Sequence, residues 1–149
     1  MEYKKLKSHL IPVEDFRQIW KEQYCAEPIE TFDGVMVSFY EDMFDHVFFE
    51  SDSNKPGDKS ILSLNRLEKI LWIKSALQDP DAVLKTGWDK STKSYFDNRR
   101  ISIVKGNFVV VIRFTGFLKA KLVTAYEKND IENIMQSPDF DKNSPFLKK

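Results

Sequence analysis

The chain has 149 residues, of which 42% are hydrophobic and 31% charged, and its formal net charge is zero. This composition is ordinary for a folded domain and argues against global disorder. No apolar run reaches the roughly 18 to 20 residues that span a bilayer, and Cys25, the single cysteine, cannot form an intramolecular disulfide. We therefore expect a cytoplasmic protein, or a domain of one, folded as a single unit over 1–149.

The zero net charge conceals two oppositely charged segments. Residues 26–58 contain nine acidic residues and one basic residue, a net of −8, whereas residues 85–121 contain nine basic and two acidic residues, a net of +7. A positive segment can attract a polyanion even when the whole molecule is neutral. The alternative interpretation is that the two segments attract each other across the fold.

The first third of the chain predicts a polar lead, one helix and two short elements. Residues 1–12 are polar and end at a proline, and residues 13–24 carry apolar side chains at helical spacing. Residues 35–40 nearly alternate and predict a short strand. Residues 43–51 are rich in phenylalanine and fit either a second strand or a buried turn of helix, because periodicity does not separate these for so short a run.

The clearest helix signal follows a loop at 51–60 that is rich in Ser, Asp, Pro and Gly. Ser63 is a suitable N-cap, residues 64–77 form a broad apolar face, and Asp79-Pro80 ends the helix. The polar side of this helix carries the bases Arg66, Lys69 and Lys74.

The remainder of the chain predicts a β-meander. Residues 99–126 contain three β-branched, alternating runs separated by turn residues at 105–107 and 115–116. A further strand is expected near 83–88, joined to the meander by a loop rich in lysine and serine. A short helix at 130–136 and a frayed tail complete the chain.

These elements predict an α+β fold with two main helices packed on an antiparallel meander of about four strands. Within the single domain we expect a mainly helical part at 13–80, the sheet at 81–126, and a short helix and tail at 127–149. Because the long helix must cover the apolar face of the meander, six side chains should be buried together: Leu67, Leu71, Ile101, Ile103, Val110 and Ile112.

The familiar chemical motifs are missing from the sequence. It has no phosphate-binding loop, no dinucleotide fingerprint, no paired-cysteine zinc motif and no nucleophile elbow. One cysteine and two histidines do not suit a structural zinc site, so we expect neither a metal nor a cofactor. What remains is His46, the basic sheet, and the end of the last strand at 124–126.

The order of segments in the second half of the chain is more informative than any single motif. It runs through D-H-V-F-F (45–49), R-L-E-K-I-L-W-I-K-S-A-L-Q-D-P-D (66–81), G-W-D (87–89), R-R (99–100), V-V-V-I-R (109–113) and K-A-K-L-V-T-A-Y (119–126). This order resembles phage-associated members of the barnase, EndoU, colicin-tRNase and RelE-like nuclease superfamily. The resemblance covers about Phe44 to Tyr126, and its most specific pieces are L-x-D-P-D at 77–81 and V-T-A-Y at 123–126.

The resemblance implies RNA cleavage without a metal, with a basic or histidine side chain of the helical part facing Thr, Tyr or Arg side chains of the sheet. His46 is the only central histidine and suits proton transfer near neutral pH, although it is also consistent with an ordinary core or surface histidine. On this basis the catalytic candidates are His46, Arg113, Thr124 and Tyr126. The RNA-binding candidates are Arg66, Lys69, Arg99, Arg100, Lys119 and Lys121.

Strand parity complicates this assignment. In a regular strand, Lys121 faces away from Leu122, whereas Thr124 and Tyr126 share the face of Leu122. Only a bulge or a twist at the strand end would bring them to one surface with Lys121. Arg66, with Lys69 one helical turn away, either reaches a phosphate or lies on a solvated helix face.

Two functions follow as expectations. The first is a metal-independent endoribonuclease-like domain of phage or mobile-element type, with tRNA or mRNA as substrate, an antitoxin or immunity protein as a second partner, and no membrane contact. The alternative is a non-catalytic RNA- or protein-binding module, toxin-neutralising or regulatory, on the same fold. Balanced net charge favours the alternative, because nucleic-acid binding normally relies on excess positive charge. The sequence carries no signal for an oligomeric state.

Overall fold

A computed structural model describes residues 3–50, 61–86, 88–89, 93–95, 100–141 and 143–147. The helices are short: α1 (Val13–Ile19), continued by a π-helical segment (Trp20–Cys25), then α2 (Met43–Phe48), α3 (Leu64–Leu67), α4 (Trp72–Leu77) and α5 (Glu132–Met135). The strands are β1 (Ile29–Glu30), β2 (Met36–Ser38), β3 (Phe49–Glu50), β4 (Ile61–Leu62), β5 (Val83–Thr86), β6 (Trp88–Asp89), β7 (Ser94–Tyr95), β8 (Arg100–Lys105), β9 (Phe108–Gly116) and β10 (Lys119–Glu127).

The main sheet has six strands in the order β1-β2-β10-β9-β8-β5. Its centre is the predicted meander of β8, β9 and β10, and β5 pairs with β8 as a further antiparallel strand. On the other side β2 pairs with β10 in parallel, so the sheet is mixed. The fold class α+β is confirmed, but the prediction of two helices on an antiparallel sheet of about four strands is wrong in its details.

One face of the sheet is covered by the helices, and the core lies between them. Five of the six predicted core residues are fully buried in one cluster, whereas Leu71 packs against that cluster and is only partly buried. Its neighbour Ile70 is fully buried in its place. The buried side of this segment is therefore the predicted apolar face, with Leu71 at its edge.

The predicted long helix is in fact two short helices. Ser63 caps α3 as expected, because its Oγ accepts a hydrogen bond from the Arg66 backbone N–H at 3.2 Å. Between α3 and α4 the backbone bonds tighten, with Ile70 N–H donating to the Leu67 carbonyl at 3.0 Å and Trp72 N–H to the Lys69 carbonyl at 2.9 Å. Such i to i+3 bonds wind the chain more tightly than an α-helix and turn Lys69 and Ile70 inward.

Both ends of the described chain are packed rather than loose. The Tyr3 hydroxyl donates to Asp79 at 2.7 Å, which ties the polar lead to the end of α4. At the other end, Phe140 is buried and Phe146 stacks on Phe114 with ring centroids 5.1 Å apart. The tail also covers the outer edge of β5, where Phe140 N–H donates to the Leu84 carbonyl. The expectation of a frayed tail is wrong for its described residues.

Candidate nucleic-acid interface

Three basic side chains lie in register across the middle of the sheet. Arg100 of β8 is directly opposite Arg113 of β9, and Arg113 is directly opposite Lys121 of β10. Residues opposite each other in antiparallel strands project from the same face. We call Arg100, Arg113 and Lys121 the basic row. Because neighbouring strands are about 4.8 Å apart, the row extends over about 10 Å.

The basic row lies on the face that α1 to α4 leave uncovered, and α5 covers only the far end of that face. Ile101 and Ile112, the chain neighbours of Arg100 and Arg113, point into the core, so the row points the other way. Arg113 and Lys121 are exposed and Arg100 is half-buried. Lys119, also exposed, extends the positive surface toward the β9–β10 turn.

Within the described part of the chain, Arg113 and Lys121 form neither an ion pair nor a side-chain hydrogen bond. Other bases of the positive segment do have acidic partners, since Lys85 pairs with Asp139 at 2.7 Å and Lys105 with Asp79 at 3.2 Å. Neither partner belongs to the acidic segment 26–58. Two of the bases at the centre of the sheet are therefore left to interact with solvent or with a ligand.

A β-bulge in β10 resolves the problem of strand parity. The pairing with β9 shifts between Leu122 and Thr124, so that Thr124 lies opposite Val111 and Tyr126 opposite Val109. Val111 and Val109 share the face of Arg113, two and four residues along the same strand. The bulge therefore places Thr124 and Tyr126 on the face of the basic row, where regular alternation would have directed them into the core.

The polarity of this face changes along the strands. Beyond the basic row, Ser102 and Val111 are buried and Thr124 is half-buried. Farther along the strands Val104 and Val109 are buried, and Ile131 and Ile134, which flank and lie in α5, pack against them. Tyr126 packs with these valines. Burial raises the pKa of its phenol, so Tyr126 remains protonated at neutral pH and does not serve as a base.

His46 is exposed on α2, a helix whose buried side chains Phe44 and Val47 belong to the core on the covered face of the sheet. Arg113 projects from the opposite face. Tyr126 lies at the end of β10, where it also lines a small cavity with Val47, the chain neighbour of His46. The cleft expected between His46 and Tyr126 stays a prediction.

Arg66 and Lys69 also belong to the covered side. The Arg66 guanidinium Nη1 donates to the carbonyl of Val47 at 3.1 Å. Lys69 is only 3% exposed, and its Nζ donates to the Asn65 carbonyl at 3.1 Å and to Glu68 at 3.0 Å. Lys69 therefore does not lie on a solvated helix face. Its ammonium group is surrounded by protein acceptors, so it is not placed to bind a phosphate.

A small cavity adjoins these two residues and the end of β10. It is lined in part by Arg66, Lys69, Tyr126 and Glu127, and its free volume of about 10 Å³ has room for about one water molecule. Glu127 Oε2 lies 3.5 Å from Lys69 Nζ, so the buried ammonium is close to two carboxylates, those of Glu68 and Glu127. This cluster stabilises the junction of α3 with β10 and is too small to hold a nucleotide.

Of the remaining predicted site residues, Arg99 lies outside the described residues. Sequence reasoning missed Ser38, which extends the basic row onto β2 through its pairing with Lys121. No local signal indicates this pairing, because β2 and β10 are parallel and more than eighty residues apart in the chain. The alternation of side chains within β2 assigns Ser38 to the face of the basic row only once β10 is known to be its neighbouring strand.

No protein-family model, no curated protein and no solved structure matches this chain. Among the described residues, no group of three His, Cys, Asp or Glu side chains is arranged to hold a metal ion. None of the helices in the described ranges has the length and apolar character needed to cross a membrane.

Proposed function

We propose that this chain binds RNA through the open face of its sheet, with the basic row and Lys119 contacting phosphates. The observation that carries the proposal is the register of Arg100, Arg113 and Lys121 on three adjacent strands. Like charges directly opposite each other destabilise a sheet. A row of this kind therefore has a cost in the free protein, and a bound polyanion offsets that cost.

The chemistry of the row suits phosphate. A guanidinium group presents a planar set of donors that matches phosphate oxygens, and a lysine ammonium adds a mobile point charge. The alternative interpretation is that the basic and acidic segments neutralise each other. Arg113 and Lys121 do not support it, because they have no acidic partner among the described residues.

RNA is the favoured polyanion because of the resemblance to the barnase, EndoU, colicin-tRNase and RelE-like superfamily. In this proposal the chain is a phage or mobile-element protein of that group, and tRNA or mRNA is its ligand. An antitoxin or immunity protein would present acidic side chains to the same face and would compete with RNA for it.

The dependence of affinity on salt tests the proposal. For single-stranded nucleic acid, log K falls with log salt with a slope of about −0.7 for each phosphate neutralised. Four basic side chains, Arg100, Arg113, Lys119 and Lys121, predict a slope of about −2.8 for a fluorescently labelled single-stranded RNA. The double variant Arg113→Gln with Lys121→Gln should reduce the slope to about −1.4 and weaken binding for all sequences alike.

Lys74→Gln is the matched control, because Lys74 is an exposed base on α4, on the other side of the sheet. This variant should leave both the affinity and the slope unchanged. If the wild-type protein binds no RNA at low salt, or if the double variant binds as tightly and with the same slope as the wild type, the sheet face is not an RNA-binding surface.

A second candidate function is RNA cleavage on this same face. The observation that favours it is the bulge, which brings Thr124 and Tyr126 to the face of Arg113. There the 2′-oxygen would bond to phosphorus as water takes its proton, and Arg113 would stabilise the charge on the pentavalent phosphorus. Tyr126 would donate its proton to the leaving 5′-oxygen as the phosphorus–oxygen bond breaks, and would regain a proton from water. The position of His46 on the covered side gives it no part in this scheme.

Cleavage is tested with labelled RNA in EDTA, followed by mass spectrometry for 2′,3′-cyclic phosphate ends. Arg113→Gln should lower the cleavage rate by at least about 100-fold, while His46→Ala should leave it unchanged. Loss of cleavage in the His46→Ala variant would contradict this assignment and support the proton-transfer role expected from the sequence. An uncut RNA pool with retained binding would leave the binding module as the function.

A further inference from the structure

Thr124 lies beside the basic row, on the same face of the sheet. Thr124 is opposite Val111, which is two residues from Arg113 on β9, so the two positions are about 7 Å apart along the strand. The side chain is half-buried, and within the described residues its Oγ1 forms no hydrogen bond. Its neighbours across and along the strand, Val111 and Val123, offer no competing polar group.

The bulge is the reason that this hydroxyl faces outward. An unpaired extra residue, Val123, interrupts the ladder between Leu122 and Thr124. Bulges are frequent beside functional sites because they redirect side chains from one face to the other. In a regular strand, Thr124 would follow Leu122 into the core and would bury its hydroxyl among apolar side chains, which is costly without a hydrogen-bond partner.

We propose that Thr124 recognises the ribose of a nucleotide whose phosphate is held by the basic row, and so selects RNA over DNA. This inference rests on the proposed RNA-binding function. A ribose adjoins its own phosphate, so a group beside the phosphate row is placed to meet the sugar. The 2′-hydroxyl is both donor and acceptor, as is the hydroxyl of threonine, and it is the group that distinguishes RNA from DNA.

The test compares two oligonucleotides that differ only in the sugar, oligo(rU) and oligo(dU) of equal length. The wild-type protein should bind oligo(rU) about 2- to 10-fold more tightly, the preference expected from one added hydrogen bond. Thr124→Val keeps the shape of the side chain and removes its hydroxyl. It should abolish the preference by weakening oligo(rU) binding while leaving oligo(dU) binding unchanged, and Thr124→Ser should retain the preference.

Thr115→Val is the matched control, because Thr115 is an exposed threonine of β9 on the other side of the basic row. It should keep the full preference for oligo(rU). Equal wild-type affinity for the two oligonucleotides, or an equal loss of both in Thr124→Val, overturns the role of Thr124 and leaves RNA binding intact. Failure of the wild type to bind either oligonucleotide overturns the proposed function itself.

Discussion

Replacing Arg113 with glutamine should make the free protein more stable, because Arg113 lies between two bases in the sheet. If the charges of Arg113 and Lys121 are about 7 Å apart in a surface with the dielectric of water, their repulsion is about 0.6 kcal/mol. Arg100, directly opposite Arg113 on β8, adds to this repulsion. We therefore expect Arg113→Gln to raise the free energy of unfolding by about 0.3 to 1 kcal/mol at low salt.

The assay is urea or thermal unfolding in 20 mM and in 1 M sodium chloride. For a domain of this size the expected gain corresponds to a rise of about 1 to 3 °C in Tm. The gain should disappear in 1 M salt, where the screening length falls to about 3 Å. RNA binding should weaken in the same variant, so that stability and binding change in opposite directions.

Arg17→Gln provides the matched control for this experiment. Arg17 is an exposed arginine of α1, and its Nη2 lies 2.7 Å from Oδ1 of Asp45. Arg17 also lies over the ring of Phe44, with Cζ 4.5 Å from the ring centroid. Its removal should therefore lower stability slightly, by about 0.2 to 1 kcal/mol, and 1 M salt should remove only the part due to the ion pair. If Arg113→Gln destabilised the protein by more than about 1 kcal/mol, or if its effect were independent of salt, the guanidinium would be making a structural contact and the argument from repulsion would fail.

Three further predictions concern the core and its polar ties. Ile70→Ala should cost about 2 to 5 kcal/mol in urea unfolding, clearly more than Leu71→Ala, because only Ile70 is fully buried; equal costs would contradict the observed helix face. Ser63→Ala should lower stability by about 0.5 to 2 kcal/mol through loss of the α3 cap, whereas Ser63→Asp should restore most of it. The hydrogen bond from Tyr3, helped by Lys105, holds the pKa of Asp79 below its usual range. The stability that Asp79 contributes is thus present above its unfolded pKa of about 3.9 and is lost as pH falls through the lower folded pKa, so Asp79→Asn should flatten the acid limb of a stability-against-pH curve.

The meander could be predicted from the sequence because its signals are local. Alternating β-branched runs and short turns specify which neighbouring strands pair, and Gly106 at φ +58° supplies the turn between β8 and β9. The sequence predicts the second turn at 115–116, but β9 continues through Gly116 and the chain reverses at Phe117 and Leu118. Leu118 takes φ +52° there, a conformation that a sequence argument would not assign to leucine.

The burial of Lys69 could not be predicted, because a hydrophobic-periodicity argument treats every lysine as polar and therefore as exposed. In the structure Lys69 is buried because its acceptors come from several parts of the chain: Asn65 and Glu68 nearby and Glu127 from the end of β10. The ammonium also lies 5.6 Å from the ring centroid of Trp72. A set of partners brought together by tertiary packing leaves no signature at the position of the lysine itself.

The described acidic residues of the helical layer and the basic row take different positions in the fold, and this bears on how RNA would approach in the proposed function. Asp45 lies on α2 in the helical layer, and Glu27 lines an open groove beside α4 together with Glu22 and Glu30. The basic row lies on the opposite face of the sheet from that layer. A polyanion is repelled from an acidic surface and attracted to a basic one, so a molecule of zero net charge can still present one favourable side. In the proposed function the acidic side chains of the helical layer would therefore repel the phosphate backbone and favour its approach to the other face of the sheet, where Arg113 and Lys121 have no acidic partner among the described residues.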